Sequence, residues 1–426
     1  MRRLIFLFSV FGLFCLGDVS GETYKSRHFT IHSDLDARYV QLVQVNVEAF
    51  LTDISRRYFR GVTGKHVTIY LSESQSETFK LLRKHGHKSK TNRSYYVIET
   101  NTIYTHRLSR SGGRIDEVGT LFHEIVHHLV HSSYKHPPIW FNEGLATFLG
   151  DENRILNGKV MLGNPDIRRA KELKERIEEG VKPNLKRLFP MTQKQLYNWP
   201  IGYNFSRALF YWLYETDELE DYLENARKEG FEIWVLEKTV AKSVNEINRE
   251  LLEFIKQYCY AGAYVYEGVR IRDSARKKEL FEKALSLRAH YGTAKLELAL
   301  CYYREEDYNQ SKKYLKQILM RPESIEYPVA AKQLGHCYYV EKDYPEALKY
   351  YEKSLEYSEY GQHKYELYYH MANCYYYLNE REKTEELHRE FLDNCWEPEK
   401  FAKKIAYSKK YLSHVEKTTT AEKSKD

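Results

Sequence analysis

The chain has 426 residues, 42% of them hydrophobic and 30% charged, with a net charge of +6. That composition fits a folded protein of two or three domains and excludes a disordered or collagen-like chain. The positive charge is spread without a concentrated basic block, so no nucleic-acid partner is expected.

Residues 1–21, MRRLIFLFSVFGLFCLGDVSG, read as a secretory signal peptide. Arg2 and Arg3 give a basic start, Leu4 to Leu16 an apolar run, and Gly17 and Gly21 small residues for cleavage. Thirteen residues are too few to cross a bilayer comfortably. No membrane span is expected, and the chain is expected to be exported to the periplasm or beyond the cell. Lipid anchoring at Cys15 is the minor alternative, with Phe14 a poor lipobox residue before it.

Residues 22–120 read as α+β. Phe29 and Ile31 alternate with polar neighbours, as do Val67, Ile69 and Leu71, which predicts two half-buried strands. Between them Val40, Val43, Val47, Leu51 and Ile54 recur at helical spacing. Tyr95 to His106 adds one or two strands. The strand immediately before the next helix is expected at an edge, open to an extended peptide. His85, Gly86 and His87 read as a solvated loop.

The next stretch, Leu121 to Ala146, is LFHEIVHHLVHSSYKHPPIWFNEGLA. Ile115, Val118, Phe122, Ile125 and Leu129 form an apolar helical stripe. Thr120, His123, His127 and His131 form a second stripe beside it. His123 and His127 are four apart, one turn along the same helix face, and can share one ion. Glu124 is rotated by about 100° and can reach a water on the open side of that ion. A catalytic zinc site needs a third protein ligand and a free position. Glu143 is the candidate, carried on a second helix after Pro137 and Pro138, with Ile139, Trp140, Leu145 and Phe148 docking it and Gly150 as its stop. The bland alternative is a structural histidine cluster with Glu124 and Glu143 as surface charges.

HExxH followed by WFNEGLA resembles the gluzincin branch of the zinc metallopeptidases, within the peptidase MA superfamily, and most of all its bacterial exported peptidase-MA-like domains. The resemblance implies one Zn2+ per chain held by His123, His127 and Glu143, with Glu124 as general base and acid. It also implies a small sheet with helices as the upper part of the domain and a helical lower part. The fifteen residues between His127 and Glu143 are fewer than in aminopeptidase N-like relatives, which touches the connecting loop and not the ligand set.

Residues 151–258 read as helical: a charged amphipathic helix from Asp166 to Glu178, a strongly apolar one from Gly202 to Glu215, and two more over 232–258. Tyr203 lies sixty residues beyond Glu143. In aminopeptidase N-like enzymes a tyrosine so placed donates its hydroxyl to the tetrahedral intermediate. The same resemblance implies a catalytic role for Tyr203, against packing in a chain of 38 tyrosines. The GxMEN signature is absent, so no aminopeptidase is expected.

Residues 260–395 repeat. Leu298-Ala299, Leu334-Gly335 and Met371-Ala372 align, and so do Ser311, Ala347 and Thr384 thirteen residues after each first member. Cys301, Cys337 and Cys374 align, each followed by two tyrosines, and are expected to be buried small residues, not disulfide partners. This resembles tetratricopeptide repeats, with ELFEKAL at Glu279 to Leu285 in a degenerate earlier unit. Such repeats stack into a superhelix whose concave face commonly holds peptides.

The expected organisation is therefore a signal peptide (1–21), an α+β gluzincin-type metallopeptidase domain (22–258), an all-α tetratricopeptide-repeat superhelix (259–415) and a disordered tail (416–426). The expected function is an exported zinc-dependent endopeptidase acting on a peptide or protein substrate, with a protein partner on the repeats. The rival is a catalytically silent scaffold that keeps the fold and acts through its repeats.

Overall fold

The computed structural model describes residues 21–87, 94–107, 119–151, 154–156, 158–162, 166–321, 324–357, 364–395 and 398–423. The expected signal peptide, Cys15 included, lies outside these residues but for Gly21, as do Ile115 and Val118.

Five strands form the N-terminal sheet. They are β1 (Glu22–Lys25), β2 (Phe29–Ser33), β3 (Val67–Ser72), β4 (Tyr95–Val97) and β5 (Thr102–His106), in the order β1-β2-β3-β5-β4. The three inner strands are parallel, with Ile31, Ile69 and Ile103 in register; β1 and β4 close the edges antiparallel. The expected alternation sets which face is apolar: Phe29, Ile31, Val67, Ile69 and Leu71 are all buried. Helix α1 (Ala37–Tyr58) covers that face with Val40, Val43, Val47, Phe50, Leu51 and Ile54, and its first turn is capped by Asp36, which accepts from the Arg38 N–H. Helix α2 (Gln75–Lys84) covers the other face, where Leu82, Val97 and Tyr104 form a smaller cluster. His85, expected in a solvated loop, ends α2 and meets the Tyr104 hydroxyl through Nδ1 at 2.7 Å. The strand directly before the histidine helix is β5, and it is interior. The edge next to that helix is β4, because the chain makes a hairpin and turns back inside its own edge strand.

Helices α3 (Gly119–Ser133) and α4 (Ile139–Gly150) follow, then a short hairpin, β6 (Arg154–Leu156) with β7 (Lys159–Met161), which periodicity does not announce. The helical part continues with α5 (Ile167–Glu178), α6 (Leu185–Leu188), α7 (Gln193–Asn198), α8 (Gly202–Glu215), α9 (Leu219–Glu229), α10 (Ile233–Val240) and α11 (Val244–Arg270). Helix α11 runs unbroken through the expected domain boundary at 258/259. Its distal half stays on α5, where Lys174 lies over the Tyr260 and Tyr264 rings and Lys171 over the Tyr266 ring.

The remainder is a row of paired helices: α12 (Ser274–Leu287), α13 (Gly292–Arg304), α14 (Tyr308–Leu319), α15 (Tyr327–Val340), α16 (Tyr344–Glu356), α17 (Lys364–Tyr377), α18 (Arg381–Asn394) and α19 (Ala402–Lys423). Small residues let each pair close up. Ser311, Ala347 and Thr384 have no exposed surface, and a Cβ on Gly335 would lie 2.6 Å from the Tyr351 ring. Cys301, Cys337 and Cys374 are buried free thiols. The tyrosines repeat their contacts: Tyr302 stacks on Tyr314 at 5.9 Å, and one repeat later Tyr338 on Tyr350 at 5.5 Å. Helix α19 continues to Lys423, into the expected disordered tail.

Candidate metal centre

Helix α3 is built from one apolar side. Phe122, Ile125, Val126, Leu129 and Val130 are buried, and the Phe122 ring stacks on Phe50 of α1 at 4.1 Å. With that side held by the core, His123 and His127 turn to the other. Pro138, extended, starts α4, and α4 runs back against α3. The two helices touch at Gly150, where a Cβ would sit 2.5 Å from the His123 Cα. The residue read as a helix stop is thus also the point of closest approach, and only glycine fits it.

This packing brings His123, His127 and Glu143 together. One ligating atom from each lies within 4.8 Å of the others. Glu143 Oε2 is 3.7 Å from His123 Nε2 and 3.8 Å from His127 Nε2, and the two imidazoles meet edge to face at 4.6 Å. Two imidazoles and one carboxylate suit zinc in a catalytic arrangement. A calcium site would need more oxygens, and a structural zinc site is typically closed by thiolates.

Both outer ring nitrogens have partners that leave Nε2 facing inward. His127 Nδ1 lies 2.9 Å from Asn142 Oδ1. His123 Nδ1 lies 3.3 Å from Asp151 Oδ1, an ion-pair distance set obliquely for a hydrogen bond. Asp151 is held in turn by Arg169 of α5 at 3.0 Å. Such outer partners fix the orientation of ligand imidazoles. Sequence reading missed Asp151 and Arg169, which only tertiary folding brings to the site. Asn142 was in view, being the residue before Glu143.

The charges are strongly coupled. Burial disfavours an imidazolium at His123, but Asp151 and Glu143 outweigh it and hold its pKa up at about 10. His127, buried beside that charge, stays below the ordinary histidine value. Burial also opposes the charge on Glu143, yet the two histidines keep its carboxyl below the usual range. Glu124 is pushed up to about 7, by burial first, against the pull of His123. Its Oε2 accepts the Tyr96 N–H of edge strand β4 at 3.0 Å.

Tyr203 opens α8, and its phenol interacts electrostatically with the Glu143 carboxylate and with Tyr197. Burial, then the charge of Glu143, drives its pKa far above the ordinary phenol value. Tyr197, unmarked in the sequence, stacks on Tyr203 at 5.3 Å and reaches Glu143 Oε1 at 3.4 Å. The other tyrosines and histidines of this stretch separate. Tyr134 is a core residue whose hydroxyl bonds to the Leu223 carbonyl. His128, fully buried, ties Asn101 Oδ1 at 2.7 Å to the Thr63 carbonyl at 2.9 Å and is structural. His131 meets Asn142 Nδ2 at 3.4 Å, and His136 is exposed with φ of 48°.

Comparison with known proteins bears on the repeats. Residues 328–360, covering α15 and α16, match the family model of the tetratricopeptide repeat. A search of curated proteins gives no match. Among solved structures the chain is similar to YrrB, described as a TPR protein with an unusual peptide-binding site. The identity is 19%, over 53% of this chain and 93% of that one, with a TM-score of 0.28, too low to bear on ligands. The chain carries a tetratricopeptide repeat over residues 328–360, and this match lies wholly outside the candidate ligand cluster. Among the described residues, no helix is long and apolar enough to cross a membrane.

Proposed function

We propose that the chain is an exported zinc-dependent endopeptidase of gluzincin type whose repeats bring it a protein substrate or partner. The observation that carries this reading is the convergence of His123, His127 and Glu143 with Glu124 beside them. Zinc held by the three ligands would supply a Lewis acid for a peptide carbonyl and lower the pKa of water toward ~7.

The chain's own residues supply the rest. Glu124, with a pKa of about 7, can take a proton near neutrality and return it to the leaving amine. Its bond to the Tyr96 N–H fixes one oxygen, and the other is left for the proton. Tyr203 offers a neutral phenol at the same site, suited to stabilise a developing oxyanion. Asp151 and Asn142 keep the imidazoles in place. The β4 edge offers main-chain groups beside Glu124 for an extended substrate.

A second reading has its own support. The family match falls in the repeats, which favours a binding or scaffold protein whose peptidase-like part is silent. A buried glutamate at pKa 7 beside a three-ligand cluster is costly for a scaffold to keep, since uncompensated buried carboxyls destabilise a fold. Digestion of a mixed peptide library by the zinc-loaded full chain and by Glu124→Gln separates the two. The peptidase reading expects cleavage by the parent chain and at least a hundredfold less by Glu124→Gln at equal zinc content. Equal products from both, or none from either, would favour the scaffold.

A further inference from the structure

The repeat row is attached to the N-terminal part at both ends. The near attachment is α11 on α5, together with Arg288 at the end of α12, which reaches the Tyr211 hydroxyl at 3.1 Å and Glu215 at 3.4 Å on α8. The far one is an aromatic knot at the shared end of α17, α18 and α19. Tyr365 packs edge to face on Phe401 at 5.3 Å, and Phe391 lies 6.2 Å from Tyr365 and 6.5 Å from Phe401. Tyr365, Phe391, Cys395 and Phe401 are all buried, and they belong to the same continuous apolar cluster as the sheet and α1, whereas the middle repeats form clusters of their own. Cys395 lies within electrostatic reach of Arg38, at the start of α1.

The two attachments reach different walls of the candidate metal site. The near one grips α5 and α8, which carry Arg169 and Tyr203. The far one joins the core cluster that contains α1, which backs the sheet bearing β4 and Tyr96. We propose that the repeat row is a strap, closed by this aromatic joint at α1, that sets the separation of the two walls, so that a partner taken up by the repeats alters access to the site. The joint is independent of the peptidase reading; the consequence for substrate access rests on it.

The knot is also held from within. Lys404 of α19 bonds to Glu366 of α17 at 2.6 Å, and Lys332 of α15 reaches the same carboxylate at 3.1 Å. These ion pairs tie α15, α17 and α19 to one another.

The test uses the full chain with its native Cys395. Arg38→Cys, treated with a short thiol-to-thiol cross-linker, is expected to give an intramolecular 38–395 link, mapped by mass spectrometry and absent when Cys395 is also replaced by Ser. Single modification of residue 38 with no link would overturn the joint. In a second arm, Phe401→Asp is expected to abolish the link and speed Cys395 alkylation at least tenfold, while Cys337 and Cys374 keep their protection. An intact link in Phe401→Asp would overturn the role of the knot. If Cys337 and Cys374 also react, the repeats have unfolded and the Arg38→Cys arm alone decides. None of these readouts requires zinc or catalysis, so a failed strap and a failed peptidase are distinguishable.

Discussion

At His123 the protein holds a proton that a zinc ion at the proposed site would have to displace. Its pKa of about 10 keeps the imidazolium charged through the neutral range, whereas His127 is already neutral and Glu143 already ionised. Zinc binds only the deprotonated ring, so one proton leaves per ion bound. Between pH 6 and 9 apparent zinc affinity should therefore rise about tenfold per pH unit and level off near pH 10. Competition with a chromophoric chelator measures this, and a flat profile would contradict it. Asp151→Asn removes the carboxylate that stabilises the charged ring, so the rise should level off at a lower pH. Affinity at high pH should fall about 10- to 100-fold, the usual cost of losing a partner behind a ligand. Tyr203 poses the sharper question at this scale, because its phenol feels the charge of Glu143 as well as standing at the site. As an oxyanion donor, Tyr203→Phe should keep zinc and lose roughly 10²–10³ in kcat. A variant that loses zinc with kcat per bound ion unchanged would make it a support for Glu143, and Tyr197→Phe should move neither quantity more than a few-fold. The convergence of His123, His127 and Glu143 was legible because two of them share a single helical turn. Asp151, Tyr96 and Tyr197 were not, since each reaches the site only through packing between separate elements.

Among the elements, regular apolar spacing was the reliable signal. The α1 stripe, the β2 and β3 alternation and α8 from Gly202 to Glu215 are where the pattern puts them, because each buries one face against a core. Pairing order was not encoded in the same way. Nothing local in Thr102–His106 says that β5 lies inside β4; hydrogen bonding to β3 decides it. The expected boundary at 258/259 lies within one helix for a related reason. The start of the repeat pattern at residue 260 marks no break in α11, whose residues Ala261, Ala263 and Val265 are as buried as those before it. A chain ending at Cys259 should consequently be less stable than one ending after Arg270, since it loses the distal packing of α11 on α5, and about 1–3 kcal/mol is a fair scale for such losses. Denaturant midpoints of the two truncated chains would show it; equal midpoints would mean that the distal half of α11 contributes nothing to the N-terminal part.

The whole molecule joins a three-ligand cluster to a row of tetratricopeptide repeats through one long helix, and everything proposed for the first half turns on whether a metal sits there. The repeats were readable from sequence because each unit must present the same small and aromatic residues to its neighbours. The return of the last repeat to α1 was not, as no repeat position encodes a contact made by one copy alone. Metal analysis of the purified full chain is the most direct measurement, made alongside His127→Ala and Glu143→Ala. One zinc per chain, lost in most molecules of both variants, is the expected result. A parent chain that takes up no zinc at micromolar concentration, or variants that keep full occupancy, would contradict it.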